Sequence, residues 1–345
     1  MELNEKKSLQ FELWQVCNNR CLFCYLSEEN RYTPDSLKLQ ALNDAITILN
    51  DEEKMKPYNV VSLIGGEFFQ GQLNTLEIKN KFFSLIRKIA ELQVSNKIQE
   101  VWIMATLTIG NQEDLYTSIN LMKEIYDSVN KPEFLNQVWI VTSYDTIGRF
   151  HTEKMHDTWK STMLNLHNRY PEIKFNTCTI LTQDLIQKYL NDEFSFNDFM
   201  QTYNTNMFFK QPSPGALASL KKGQSPMDQY MEAKQKMEKI LPGFFPKRED
   251  FLNFLIKFSQ DCPNLYDHLF NIKYRADDLY RNFNYEDKRM LLNHRNKESK
   301  NEITRTGLSD FDTQTAECGH LLNYCAYIDS DACMICDREF VRNQY

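Results

Sequence analysis

Cys17, Cys21 and Cys24 stand at C-x3-C-x2-C spacing in the run Cys17-Asn18-Asn19-Arg20-Cys21-Leu22-Phe23-Cys24. Three thiols on one short segment can ligate a metal centre, but they are one short of the four ligands that close a structural zinc site. A cubane iron–sulfur cluster held by three thiolates keeps one iron without a protein ligand, and that iron can bind a small molecule. The alternative is a structural zinc ion that takes a fourth ligand from elsewhere in the chain. Near the C-terminus, Cys318, Cys325, Cys333 and Cys336 form a second set, with His320 beside it and the last two at C-x2-C spacing. This set reads as a metal site, either a second [4Fe–4S] cluster or a zinc ion held by four cysteines or by three and His320. The separation of Cys318 from Cys325 is wider than a tight zinc knuckle uses, which places iron–sulfur ahead of zinc. Cys178 and Cys262 stand apart. Cys178 reads as a core residue, and Cys262, which precedes Pro263, as an isolated half-exposed thiol.

Other candidates lie at strand ends. Leu63-Ile64-Gly65-Gly66-Glu67 closes a β-like run with two glycines, which allow a ligand to approach the backbone, and a carboxylate able to grip an ammonium group. The same residues also suit a plain strand-ending turn. Thr142-Ser143-Tyr144-Asp145 closes another run, and His151 and His156 flank the start of the helix that follows. Both histidines read as helix-terminal rather than catalytic.

These residues require a scaffold that brings strand ends together. β-like runs at Phe11–Val16, Val60–Ile64, Val101–Leu107, Val138–Ser143, Phe175–Leu181 and Met207–Phe209 alternate with helical patterns at Ser36–Asn50, Phe82–Leu92, Glu113–Val129, His156–Arg169 and from Asp184. Repeated β then α, with Val- and Ile-rich strands, predicts a parallel sheet covered by helices. Such sheets bind ligands beyond the carboxyl ends of their strands, which is where the Cys17–Cys24 loop falls. Six units over roughly 200 residues suit an open barrel better than an eight-fold one of about 250 residues. Pro, Gly, Ser and Lys concentrate at 212–224, marking a boundary. Beyond it Asp228–Leu241, Phe251–Gln260 and Leu265–Tyr274 look helical. The expected organisation is thus 1–215 as an α/β domain, 216–310 as a helical region and 311–345 as a cysteine-rich metal-binding segment.

Composition sets outer limits. The chain has 345 residues, 42% hydrophobic and 25% charged, as an ordinary globular protein does. It contains no apolar run of about 18 residues that would cross a membrane, and its polar start is not a signal peptide. Its net charge of −7 disfavours wrapping of nucleic acid, although a local basic groove stays open. Nine cysteines in a large chain without a secretory signal point to metal binding in a reducing compartment, so a cytoplasmic location is expected.

The cysteine triplet, with Phe23 inside it and Tyr25 after it, and Gly65-Gly66-Glu67 at the end of the second strand, resemble the signature of the radical S-adenosylmethionine superfamily. Thr142-Ser143-Tyr144-Asp145 is similar to the Ser-x-Asp segment of its peptide- and protein-modifying branch. Phe208-Phe209-Lys210-Gln211-Pro212-Ser213-Pro214-Gly215 resembles the end of that branch's sixth strand. The likeness is confined to residues 11–215. It departs from the branch where Thr146 and Ile147 separate Asp145 from Gly148, so Asp145 reads equally as a cofactor contact and as a strand-end turn.

The resemblance implies a partial (β/α)6 TIM-like barrel with a mainly helical, cysteine-rich C-terminal extension. It implies a catalytic [4Fe–4S] cluster on Cys17, Cys21 and Cys24, and S-adenosyl-L-methionine bound with the help of Phe23, Tyr25, Gly65, Gly66, Glu67 and Ser143. Phe23 would pack near the adenine or simply in the core. The implied chemistry is reductive cleavage of S-adenosylmethionine to a 5′-deoxyadenosyl radical that abstracts hydrogen from a substrate. A peptide or protein side chain is the expected substrate, with a nucleotide or nucleic-acid base as the enzymatic alternative, and a flavodoxin or ferredoxin is the expected electron donor. The rival from another class is a non-enzymatic zinc protein in which both cysteine sets are structural and the C-terminal helices bind a partner.

Overall fold

The computed structural model describes residues 8–14, 16–24, 33–108, 112–210, 212 and 226–263. Six strands, β1 (Ser8–Glu12), β2 (Val60–Ile64), β3 (Glu100–Met104), β4 (Val138–Ser143), β5 (Lys174–Ile180) and β6 (Thr205–Lys210), form one sheet. All five pairings are parallel and the strands lie in sequence order, β1-β2-β3-β4-β5-β6, with no reversal. Helices fill the crossovers: α1 (Asp35–Asn50), α2 (Glu52–Met55), α3 (Leu76–Val94), α4 (Glu113–Ser128), α5 (Glu153–Arg169), α6 (Gln183–Leu190) and α7 (Phe196–Tyr203). After β6 come α8 (Pro226–Ile240) and α9 (Arg248–Asp261). The fold is therefore α/β, as the alternating pattern predicts.

The reasons are local. Val60, Val61, Ser62 and Leu63 of β2 are all buried, as expected of a strand covered on both faces. Thr75, Thr152, Thr182 and Ser195 each accept a hydrogen bond from a backbone N–H of the first turn they precede, starting α3, α5, α6 and α7. Asn204, left-handed at φ +44°, ends α7 and turns the chain into β6. Trp159 of α5 and Phe199 of α7 lie against Tyr144 just past β4, building an aromatic layer beneath the sheet edge. α9 packs on α6 and drives Phe254, Leu255 and Phe258 into the main core. Tyr189 donates to Asp261 (2.6 Å) and Gln183 to Asp250 (2.5 Å), fixing that contact.

Element ends differ from expectation for identifiable reasons. β1 lies earlier than the apolar run Phe11–Val16, because the ladder ends at Glu12↔Ile64 and the chain continues as an irregular extension. That extension still meets the end of β2, where Trp14 O accepts from Gly66 N–H (3.0 Å) and Val16 O from Glu67 N–H (2.8 Å). β3 stops at Met104 rather than Leu107, since Leu107 adopts a left-handed φ of +58° that breaks an extended run. α3 begins at Leu76, six residues before the apolar stripe that announced it, because Thr75 supplies the cap. Among the described residues no helix is long and apolar enough to cross a membrane.

Candidate functional site

Parallel order with no reversal places the carboxyl ends of all six strands on one edge of the sheet, and the candidate residues collect there. Cys17, Cys21 and Cys24 lie in the loop after the β1 extension, all with free thiols, Cys21 buried and the other two half-buried. Cys24 N–H donates to Cys21 O (3.0 Å), so the last two cysteines share a turn. Arg20 takes a left-handed φ of +48° just before Cys21.

Three side-chain contacts and one backbone contact pin this loop to neighbouring strand ends. Asn18 donates to Gln70 O (3.1 Å) beyond β2, and Thr108 beyond β3 donates to Asn19 Oδ1 (2.5 Å). His151 Nε2 lies 2.7 Å from Asn19 O; a carbonyl only accepts, so that nitrogen carries the proton. Leu22 N–H donates to Gly148 O (3.0 Å) beyond β4. Gln70 Nε2 joins Thr106 Oγ1 (2.6 Å) and Thr108 Oγ1 (2.9 Å), completing a buried polar knot around Asn19. Two atoms in this knot, Asn19 Nδ2 and Gln70 Oε1, are buried and have no hydrogen-bond partner among the described residues.

Gly65, Gly66 and Glu67 sit beside this loop. A Cβ on Gly65 would stand 2.4 Å from Trp14 O, so the close approach that demands glycine is made by the chain's own β1 extension. Glu67 is 2% exposed. Its Oε1 accepts from Phe69 N–H (2.9 Å) and its Oε2 from Thr106 N–H (2.5 Å), which ties the end of β2 to the end of β3. Burial holds the Glu67 carboxyl above its ordinary range, against the pull of those hydrogen bonds.

Asp145 performs the matching task at β4. The ladder continues one step as Tyr144 N–H donates to Cys178 O (2.9 Å), and Asp145 Oδ1 then accepts from Ile180 N–H (2.7 Å). Its other oxygen accepts from Arg149 Nε (2.5 Å). Asp145 thus joins the strand ends and takes Arg149 as an added partner that the sequence did not single out. Arg149 Nη1 lies 3.5 Å from Cys21 Sγ, and its guanidinium carbon stands 5.3 Å from the Phe23 ring centre. Ser143, the last residue of β4, is half-buried and registers with Cys178.

Phe23 is committed to packing. It stacks on Phe244 at 5.4 Å and belongs to a small core with Cys21, Met237 and Leu241. Met237 lies on α8, and Leu241 and Phe244 lie in the turn that follows, so this segment covers the cysteine loop. Glu238 accepts from Gly243 N–H (2.9 Å), Asp184 N–H donates to Gly243 O (3.1 Å), and Lys247 N–H donates to Gln183 Oε1 (2.6 Å), fastening the cover to the start of α6.

Burial favours the protonated form of two of the thiols, Cys17 and Cys21. Burial pushes Cys17 up to about 12; a backbone hydrogen bond from Asn19 opposes it, and Glu67, Cys21 and Cys24 add to it. Burial also raises Cys21, with Arg149 pulling the other way. Metal binding here would therefore release protons. Among the described residues, no three His, Cys, Asp or Glu side chains converge to hold a metal ion as they stand. The site thus brings together free thiols on a pinned loop, a largely buried guanidinium beside one of them and two polar atoms that have no partner among the described residues.

Tyr25 and the four C-terminal cysteines Cys318, Cys325, Cys333 and Cys336, with His320, lie outside the described residues, as do Gln211 and Ser213–Gly215. Cys178 is buried in β5, as expected of a core residue, whereas Cys262 is buried rather than half-exposed. Cys262 lies at the end of α9, 3.4 Å from Asn197 Oδ1, because α9 docks against the main core. No known protein-family model matches this chain, and no curated protein matches its sequence.

Proposed function

We propose that this chain is a radical S-adenosylmethionine enzyme, with a [4Fe–4S] cluster on Cys17, Cys21 and Cys24. The observation that carries this reading is the meeting of three free cysteines, Gly65-Gly66-Glu67 and the end of β4 on one edge of an all-parallel sheet. Strand order without reversal leaves no switch point of the doubly wound kind and favours a sheet that curls in one sense. That supports a partial (β/α)6 barrel. When bound, the cluster would supply the electron that cleaves S-adenosylmethionine and generates a hydrogen-abstracting radical.

The residues around it would hold and shield that chemistry. Cys17, Cys21 and Cys24 would ligate iron, leaving one iron for the cofactor. Gly65, Gly66 and Glu67 would face the methionine end of the cofactor, and Ser143 its ribose or carboxylate. Asn19 Nδ2 and Gln70 Oε1, both without partners among the described residues, would add a donor and an acceptor. The α8 cover would keep water from the cysteine loop. A cubane meets its thiolates at separate corners, so it does not require the three sulfurs to converge on one point as a single zinc ion does. The proposed substrate is a peptide or protein side chain, from the likeness to the branch with cysteine-rich extensions, and the proposed donor is a flavodoxin or ferredoxin. Cys318, Cys325, Cys333 and Cys336 would bind a second cluster or a zinc ion.

The test is anaerobic incubation with S-adenosylmethionine and dithionite, followed by assay of 5′-deoxyadenosine and methionine. Both should form with the wild type and neither with Cys21→Ala. Equal formation by the variant would overturn the assignment.

A further inference from the structure

The Asp145–Arg149 pair lies beside the candidate metal loop, and Arg149 has no place in the motifs that led to it. Arg149 is 13% exposed and Asp145 fully buried. Burying a guanidinium is costly unless every strong partner is present. One partner is Asp145, whose second oxygen is locked by Ile180 N–H at the end of β5, so the carboxylate cannot follow Arg149 elsewhere. A second is the Phe23 face. Among the described residues a further polar contact runs from Nη1 to Cys21 Sγ at 3.5 Å, within reach of an N–H···S hydrogen bond. Arg149 follows Gly148, whose carbonyl accepts from Leu22 in the cysteine loop. The arginine and the loop that it faces are thus fixed to each other by backbone as well as by side chain.

We infer that Arg149 is a positioning residue that sets the reduction potential of the centre on Cys21, with Asp145 limiting its effect. This rests on the iron–sulfur reading above. An oxidised four-iron core with two positive charges and three thiolates has a net negative charge. One electron from a low-potential donor increases it. A fixed cation and an N–H donor at a ligating sulfur stabilise the more negative state and raise the potential. The nearby Asp145 carboxylate partly offsets that cation. The two members of the pair therefore act with opposite sign.

The experiment is a dithionite redox titration of the anaerobically reconstituted full chain, without S-adenosylmethionine, followed by electron paramagnetic resonance. Iron and sulfide are counted on the same samples. The Cys17/Cys21/Cys24 triple alanine variant supplies the spectrum of any other centre for subtraction. Arg149→Met removes the cation at similar length and should shift the potential to more negative values. Asp145→Asn leaves the cation unopposed and should shift it to more positive values. A merely structural role would loosen the same site in both variants and move both potentials in one sense. Shifts in the same direction, or none in either, would overturn the inference while leaving the cluster assignment intact. If Arg149→Met does not assemble iron, Asp145→Asn decides alone: a positive shift supports the role and any other result refutes it. A wild type with no signal lost in the triple variant would overturn the iron–sulfur reading and this inference together.

Discussion

Gly148→Ala should destabilise the protein well beyond the ordinary cost of placing alanine in a left-handed turn. Gly148 sits at φ +79°, and its carbonyl holds Leu22 of the cysteine loop. A Cβ there would lie 2.6 Å from Leu241 Cδ2 and 2.9 Å from Phe23 Cδ1. The left-handed conformation costs a non-glycine residue about 1–2 kcal/mol. Forcing a methyl group against Leu241 and Phe23 adds about 1–3 kcal/mol of overpacking. Gly71 is the matched control, at φ +78° with nothing within 4 Å of an added Cβ. Gly71→Ala should show the first term alone, so the difference between the variants isolates contact between the α8 cover and the cysteine loop. Urea unfolding without added iron gives both values from the midpoints, provided that the slopes match. Truncating Leu241 to alanine in the Gly148→Ala background should recover much of the extra loss, as a coupling energy in a double-mutant cycle. If Gly148→Ala were no more damaging than Gly71→Ala, the packing of the cover on the loop would be refuted.

Two further outcomes follow from the buried polar groups. Glu67→Gln leaves one oxygen for two backbone donors, so Phe69 N–H or Thr106 N–H loses its acceptor; urea unfolding should show a loss of about 1–3 kcal/mol, and an unchanged midpoint would remove Glu67 from the strand-end frame. His156, beside Tyr144 Oη at 3.0 Å, is held below its ordinary value by burial, with the charge of Lys160 adding to it. As pH falls through about 6.5 towards the folded value, the unfolded chain takes up a proton that the folded chain resists, so stability is lost across that window. His156→Gln should abolish this component of the pH slope in unfolding measurements, and an identical slope in the variant would contradict it.

The order of elements was legible because β2 and β4 open on Val- and Ile-rich stretches and β5 alternates apolar with polar residues, with helical stripes between them. The triplet Cys17, Cys21, Cys24 was legible because its spacing is local in the chain. What escaped was non-local or carried by single residues. α7 is only eight residues long and announces itself chiefly by the Ser195 cap and the left-handed Asn204. Arg149 has no motif; its meaning comes from Asp145, Cys21 and Phe23, which are brought together from β4 and the first loop only by folding. Gln70, Thr106 and Thr108 look like loop residues and become a buried knot because three strand ends converge on Asn19. Gly65 looked like a place for a ligand, yet the atom that presses on it is Trp14 O. A carboxylate after a strand, as at Glu67 and Asp145, could have been read as a device for extending a ladder past its last backbone pair.

The most direct test is the iron, sulfide and zinc content of anaerobically reconstituted chain, for wild type and the Cys17/Cys21/Cys24 triple alanine variant. A four-iron cluster on the three thiolates predicts that the variant loses about four irons and as many sulfides per chain, whatever metal it retains elsewhere. Equal iron in both proteins, or zinc alone in both, would contradict it.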